Sequence, residues 1–173
     1  MSQIPTEVLK YELRKFQIKV AEESRSSYLT FVKKVWPDFI TGSHHKIFAQ
    51  KLEDVSRGKI KRLIVNMPPR HTKSEFASHL FPAWMMGKNP KLKIIQTTHT
   101  AELSYNFGRK VRNLFDQDEF KEVFPSVTLS QDSKAAGRFT TNKGGEYFAA
   151  GVGGAITGRG ADLLIIDDPH SEQ

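Results

Sequence analysis

Apolar residues in the first third of the chain recur at helical spacing. Between residues 7 and 23 they are separated by steps of four, three and four, which places them on one face of a helix. A second stretch ends at Pro37, and a third covers residues 45–57 with Gly58 as its C-terminal cap. We therefore predict an N-terminal helical segment over residues 1–58. The apolar positions of its first helix are Leu9, Leu13, Phe16 and Val20.

After residue 58 the pattern changes to short apolar runs that alternate with helical stretches. Helices are predicted over residues 74–86 and 101–115, with Pro82 expected to kink or interrupt the first. The glycine-rich residues 144–157 predict one or two hairpins. This alternation predicts an α/β layered fold with a mainly parallel central sheet, preceded by the N-terminal helices. The predicted strands are residues 62–66, Lys93–Thr98 and Leu163–Ile166.

Length and composition narrow the class of protein. The 173 residues fit one domain with a core of its own. The absence of cysteine excludes disulfides, zinc–thiolate sites and cysteine nucleophiles. No apolar run approaches the roughly 20 residues of a membrane span, and residues 1–10 lack the apolar stretch of a secretory signal. We therefore expect no membrane association.

The net charge of +7 is unevenly distributed along the chain. Residues 1–73 hold 15 of the 26 basic residues but only 7 of the 19 acidic ones. A basic half of this kind fits an anionic partner such as nucleic acid or nucleotide. A solvated basic helix face explains the same residues, so charge alone leaves both interpretations open.

Residues 67–74 (MPPRHTKS) lie between a predicted strand and a predicted helix, where nucleotide-binding proteins carry a phosphate-binding loop. Lys73 and Ser74 match the last two positions of G-x-x-x-x-G-K-[S/T], whereas Met67 and Thr72 occupy the two glycine positions. Without those glycines, the loop is expected to reach its shape with no positive φ there, made rigid by two prolines instead. Taken alone, this match also fits a chance Lys-Ser pair before a helix.

The chemistry of a phosphate site suits the residues of this loop. A helix that starts near Lys73 offers free N–H groups and its positive dipole end to a phosphate. Lys73 is expected to reach the β- and γ-phosphates, and the Ser74 hydroxyl to bind Mg²⁺. Arg70 adds a second positive charge, suited to the γ-phosphate.

Two aspartates follow the last apolar run. Leu163–Ile166 leads directly into Asp167 and Asp168, as a buried strand leads into the acidic residues of a nucleotide-hydrolysing site. The first carboxylate would hold Mg²⁺ and the second would orient or deprotonate a water. A core strand that ends in an Asp-Asp-Pro turn is the alternative for this segment alone. The two motifs together, in this order, favour nucleotide hydrolysis.

Both motifs belong to longer stretches that occur together in a fixed order. These stretches are residues 61–75 (KRLIVNMPPRHTKSE), 81–84 (FPAW) with Asn89-Pro90, 144–160 (GGEYFAAGVGGAITGRG) and 161–169 (ADLLIIDDP). On these stretches the chain, from about residue 36 onward, resembles the N-terminal ATPase region of the large terminase subunit of tailed phages, a DNA-packaging motor. The loop of that family tolerates residues other than glycine, and its second acidic residue is often glutamate, where this chain has Asp168.

The resemblance implies a P-loop NTPase-type fold, with residues 59–173 as a partial core, and Mg²⁺-dependent ATP hydrolysis. Arg159, between two glycines, is implied to contact a phosphate or the nucleotide of a neighbouring subunit; an ordinary surface loop is the alternative. The implied Mg²⁺ ligands are Ser74 and Asp167. The implied catalytic residues are Asp168, Arg70 and Arg159. The implied ATP-binding residues are Pro69, Arg70, His71, Thr72, Lys73 and Ser74.

The resemblance also implies partners and a location. These are double-stranded viral DNA, the portal protein, the small terminase subunit and further copies in a ring, in the host cytoplasm and transiently at the procapsid portal. Large terminases continue with a coupling strand and a nuclease domain, so the chain is expected to be a fragment without a nuclease site. The alternative function is a catalytically incomplete nucleotide- or DNA-binding fragment of the same fold.

Overall fold

The three predicted N-terminal helices form in a computed structural model that describes residues 5–154 and 156–170. Ser27 separates the first two and caps the second, since its side chain accepts a hydrogen bond from the Thr30 N–H at 3.3 Å. Gly58 follows the third with φ of +71°, as expected of a C-terminal cap. The helices are α1 (Thr6–Ser26), α2 (Tyr28–Val35) and α3 (Ser43–Ser56).

The predicted apolar face of α1 is largely exposed. Leu9 is 55% exposed, Leu13 57% and Phe16 63%, and burial begins only at Ala21. The helical spacing was therefore predicted correctly, although within the described residues this face packs against little else. No helix in the described ranges combines the length and the apolar character needed to cross a membrane.

Pro82 interrupts the next helix as predicted. The backbone is π-helical over Glu75–Leu80, and α4 (Phe81–Lys88) begins anew with the proline in its first turn. The Phe81 N–H donates to the Phe76 carbonyl five residues back. Because proline has no N–H and its ring crowds the preceding turn, a widened turn before it satisfies the backbone better than a regular helix.

The sheet has five strands in the order β2-β3-β4-β1-β5 and is mixed. β1 pairs in parallel with β4 and with β5, whereas β2–β3 and β3–β4 are antiparallel. The α/β class is thus confirmed, but the mainly parallel sheet is not, because the hairpin strands add two antiparallel pairings. The elements are β1 (Lys93–Thr98), α5 (Ala101–Leu114), α6 (Asp118–Val123), β2 (Leu129–Ala135), β3 (Arg138–Thr141), β4 (Glu146–Gly151) and β5 (Leu163–Ile166).

The strand predicted over residues 62–66 does not form. This segment pairs with no strand in the described structure, although Leu63 and Val65 pack partly against the core while Ile64 is 86% exposed. Alternating burial is what the β-branched run predicts. A ladder also needs a partner strand, and β5 is hydrogen-bonded only to β1 in the described residues.

β5 is an edge strand, although its apolar sequence predicted burial on both faces. Leu163 and Ile165 pack against the core, but Leu164 is 56% and Ile166 58% exposed. The parallel direction was predicted correctly. It carries the chain to the edge of the sheet where β1 also ends, because Ile166 lies beside Thr97.

One aromatic core joins the helices before residue 58 to the rest of the chain. Tyr28 of α2 is fully buried, its ring lies 5.7 Å from that of Phe76, and its hydroxyl donates to the Phe76 carbonyl at 2.6 Å. Its N–H donates to Glu53 of α3 at 2.8 Å. The division of the chain at residue 58 stays a prediction, and both parts share this core.

Candidate functional site

The predicted phosphate loop lines a cleft of about 660 Å³. Helical backbone begins at Lys73, and the Phe76 N–H donates to the Thr72 carbonyl at 2.9 Å. The first N–H groups of such a helix have no acceptor within it and can face an anion. Residues 67–75 form one wall of the cleft, and residues 168–170 form the other.

The loop contains two residues in the left-handed region. Arg70 has φ of 62° and Thr72 has φ of 61°. The expectation of a loop without positive φ at the glycine positions was therefore wrong for Thr72, which adopts there the conformation that glycine adopts freely. A β-branched residue in this region costs about 1–3 kcal/mol, so neighbouring contacts must hold it.

Lys73 forms a hydrogen bond with Asp168 and a longer ion pair with Asp167. Its ammonium lies 2.6 Å from Asp168 Oδ1 and 3.8 Å from Asp167 Oδ1. The hydrogen bond to Asp168 raises the pKa of Lys73 above its ordinary value. The structure thus brings the two predicted motifs into contact, although they lie 95 positions apart in the sequence.

Asp167 is 7% exposed and is held by a serine that the sequence did not single out. The hydroxyl of the fully buried Ser78 donates to Asp167 Oδ2 at 2.8 Å. Ser74 borders the cleft, whereas Asp167 itself lies behind Asp168, which lines the other wall. Ser78 lies one helical turn after Ser74, and that spacing is the only sequence signal that could have found it.

Asp168 is oriented by its backbone rather than by burial. It has φ of 41°, and its carbonyl accepts a hydrogen bond from the His99 N–H at 3.1 Å. Its side chain is 64% exposed and turns toward Lys73 in the cleft. A carboxylate in this position can accept a proton from a water in the cleft.

The remaining predicted ATP-binding residues also line the cleft. Pro69, Arg70 and His71 are exposed there. His71 Nδ1 donates to the Pro69 carbonyl at 2.9 Å, which fixes the turn between them. The cleft therefore holds one arginine and one lysine within the same loop, the charge pattern that suits a phosphate chain.

Arg159 does not join this group within one chain. Its guanidinium lies 3.2 Å from Glu146 Oε1 and 3.9 Å from the centre of the Phe148 ring. Glu146 is the first residue of β4 and lies opposite Lys93, the first residue of β1. Asp168 lies past the opposite ends of these strands, roughly 16 Å away along the six residues of β1.

The donor set fits Mg²⁺, although it is small. Within residues 5–154 and 156–170, no three histidine, aspartate or glutamate side chains form a group that could hold a metal alone. Protein sites for Mg²⁺ commonly supply only one or two carboxylates, and substrate phosphates and waters complete the shell. The Ser74 hydroxyl and the buried Asp167 carboxylate are hard oxygen donors of this kind.

Comparison of the chain with protein-family models, with curated proteins and with solved structures found no match.

Behind the loop, Glu75 joins the π-helical segment to α5. Its carboxylate accepts a hydrogen bond from His79 Nδ1 at 2.8 Å and another from the Lys110 ammonium. These two bonds, that of His79 first, lower the pKa of Glu75 to about 2 despite its partial burial. A charged Glu75 therefore stabilises the folded state at neutral pH.

Replacement of Glu75 by glutamine should lower the free energy of unfolding at pH 7 by about 1–2 kcal/mol, since one charge-assisted network is lost at a partly exposed site. Because the folded pKa lies below the unfolded value of 4.5, the contribution is present above that value and disappears as pH falls toward 2. Urea denaturation at pH 7, 4 and 3 measures this. Glu22→Gln, at an exposed position of α1, should change little at any pH. An equal loss for Glu75→Gln at pH 7 and pH 3 would contradict the assignment.

Proposed function

We propose that this protein binds ATP and hydrolyses it with Mg²⁺, as the motor part of a phage enzyme that packages double-stranded DNA into procapsids. The observation that carries the proposal is the contact of Lys73 with Asp167 and Asp168, beside a loop that precedes a helix. Two motifs that are individually weak thereby meet in one cleft. In α/β sheets, ligands bind outside the carboxyl ends of parallel strands, which is where this cleft lies.

Phosphate binding would use the charges and N–H groups of the loop. Lys73 would exchange its bond to Asp168 for the β- and γ-phosphates, and Arg70 would hold the terminal phosphate. The N–H groups at the start of the helix, together with residues 69–72, would cradle the phosphate oxygens. Held in this way, the terminal phosphate would be within the cleft that Asp168 also lines.

Hydrolysis would use the two aspartates differently. The buried Asp167, oriented by Ser78, would hold Mg²⁺ together with Ser74, and the metal would neutralise charge on the phosphates. Asp168, released from Lys73, would orient the attacking water and accept its proton. Its side chain is exposed enough to reach a water, whereas Asp167 is already bonded to Ser78.

The assembly and partners follow the same proposal. The motor would act as a ring of copies with the portal protein and the small terminase subunit, in the host cytoplasm and transiently at the procapsid portal. Arg159 would serve the nucleotide of a neighbouring copy, because its own cleft lies at the opposite edge of the sheet.

A second candidate is a nucleotide- or DNA-binding module without turnover. The ion pair of Lys73 and Asp168 favours it, since that pair occupies both groups that turnover needs. Steady-state phosphate release, measured with and without double-stranded DNA, separates the two candidates.

Lys73→Ala should weaken ATP binding at least tenfold, about 1.4 kcal/mol, because the phosphates lose their nearest ammonium. Isothermal titration of the folded variant, checked by circular dichroism, measures the affinity. Lys61→Ala removes an equal charge from an exposed position before the loop and should leave affinity within about twofold, since screened surface charges contribute little. If a folded Lys73→Ala variant binds ATP with unchanged affinity, the assignment of residues 67–74 as a phosphate-binding loop is wrong.

Asp168→Asn should keep ATP affinity within a few-fold and reduce turnover about 100-fold or more, since its proposed action is on the water in the transition state. Asparagine tolerates the positive φ of 41° at this position, so the backbone should keep its course. Phosphate release at saturating ATP gives the turnover. Normal hydrolysis by this variant would move the role of base elsewhere, with Asp167 as the next residue to test.

Chains with Arg159→Ala and chains with Asp168→Asn should each be inactive alone but regain activity when mixed. Some interfaces of a mixed ring then join an intact Asp168 cleft to an intact Arg159, and an arginine supplied across an interface contributes roughly 10³–10⁵ in rate. Phosphate release is measured together with sedimentation, which establishes co-assembly. Co-assembled mixtures that stay inactive would exclude a role for Arg159 between copies.

A further inference from the structure

His45, in the first turn of α3, forms hydrogen bonds with both of its ring nitrogens. Nδ1 accepts from the Gly42 N–H at 2.9 Å, and Nε2 lies 2.7 Å from the Thr72 hydroxyl oxygen. A neutral imidazole has one donor and one acceptor nitrogen. Because Nδ1 accepts, the proton is on Nε2, and His45 therefore donates to Thr72.

Thr72 is the β-branched one of the two loop residues with positive φ. Its hydroxyl accepts from His45 and donates to the His71 carbonyl at 2.6 Å. A continuous chain of hydrogen bonds thus runs from the Gly42 N–H through His45 and Thr72 to the loop backbone. These bonds reach Thr72, whose φ of 61° is a conformation that threonine rarely adopts without support.

The imidazole of His45 is fixed by its surroundings. The residue is 6% exposed, and its ring lies 4.7 Å from the Phe39 ring and 5.2 Å from the Phe76 ring. The titratable groups beside it are His44, whose ring is 3.8 Å away, and His71 of the loop. Burial, followed by these two neighbours, lowers the pKa of His45, which favours the neutral ring that the two bonds require.

We propose that His45 is a positioning residue of the phosphate loop, whose Nε2–H holds Thr72 in the left-handed conformation. Where the generic loop relies on glycine for this conformation, this chain uses a threonine tied to a buried histidine of α3. The helix that begins at Lys73 follows directly on this supported residue, and its Phe76 N–H bonds to the Thr72 carbonyl. The effect on nucleotide affinity rests on the proposed function, whereas the support of Thr72 does not.

A pair of conservative variants separates the two bonds of His45. Glutamine is long enough to place an amide N–H near the position of Nε2, so His45→Gln should keep ATP affinity within about threefold. Asparagine replaces only the Nδ1 acceptor that receives the Gly42 N–H, so His45→Asn should lose about tenfold, as His45→Ala does. Equal losses for all three variants would mean that His45 only packs, and would overturn the proposal.

A glycine background gives the second arm of the test. In Thr72→Gly chains the loop no longer needs support for a positive φ, so adding His45→Ala should cost less than twofold in ATP affinity. The same cycle is measured without nucleotide by urea denaturation. There His45→Ala should lower stability by less than half as much in the Thr72→Gly background as in the unaltered chain. If His45→Ala lowers the free energy of unfolding equally in both backgrounds, the positioning role is overturned.

The nucleotide-free measurement keeps the two proposals apart. ¹⁵N chemical shifts of the imidazole in the unliganded protein should identify Nε2 as the protonated nitrogen. If the unaltered chain binds no ATP while the stability cycle shows coupling, the proposed function fails and the role of His45 stands. If the unaltered chain binds ATP while neither arm shows coupling, the role of His45 fails alone. His45→Gln and His45→Asn each keep a polar side chain at this position. If His45→Ala fails to fold, the comparison of these two variants therefore still decides the test.

Discussion

The hydrogen bond between Lys73 and Asp168 is the contact on which the candidate site depends. This 2.6 Å bond crosses the cleft and joins the loop before Lys73 to the residues that follow β5, which are far apart in the sequence. Lys73 is 24% and Asp168 64% exposed, so solvent screens the pair and it contributes at most about 1 kcal/mol to folding. Its importance is in charge balance instead. The group formed by Asp167, Asp168, Lys73 and Arg70 carries no net charge, so a polyphosphate that binds beside it would have to bring its own cation.

The strained backbone of the loop depends on hydrogen bonds from the N-terminal helices. Arg70 and Thr72 carry positive φ without being glycines, and such conformations persist only where neighbours hold them. For Thr72 the neighbour is His45 of α3, which bonds to its hydroxyl. Tyr28 of α2 acts one step away: it bonds to the Phe76 carbonyl, and the Phe76 N–H bonds to the Thr72 carbonyl. The N-terminal helices therefore do more than precede the site. They carry two buried polar groups, His45 and Tyr28, that bond to the loop and to the helix that follows it.

The spacing of apolar residues was enough to predict several helices and strands. It was not enough where the formation of a strand depends on which other strand it pairs with. β1, β5 and α5 form where apolar spacing placed them. Strand direction explains why β5 delivers the two aspartates to the carboxyl end of the parallel pair, where they meet Lys73. Residues 62–66 have an equally clear strand pattern but no partner in the described structure, a condition that no single segment encodes. Likewise the hairpin strands made the sheet mixed because their pairing is set by a turn. The sequence could not show that Ser78 would bond to Asp167 or His45 to Thr72, since a lone serine or histidine has no signature until the fold gives it a neighbour.

The position of Arg159 shows how strand direction constrains chemistry. Parallel strands put all their starts at one edge of the sheet, so Glu146 and Arg159 are separated from Asp168 by the length of β1. Flanking glycines indicate that a loop can move, but they say nothing about which edge it occupies. For Arg159 to reach a nucleotide on another copy it must leave Glu146 and Phe148, which costs about 1–2 kcal/mol for an exposed ion pair and a cation–π contact. A gain of roughly 10³ in rate corresponds to about 4 kcal/mol, so the release is small against the catalytic benefit. The resting contacts of Arg159 are therefore compatible with a role across an interface, and they would keep the side chain ordered until a neighbouring copy displaces it.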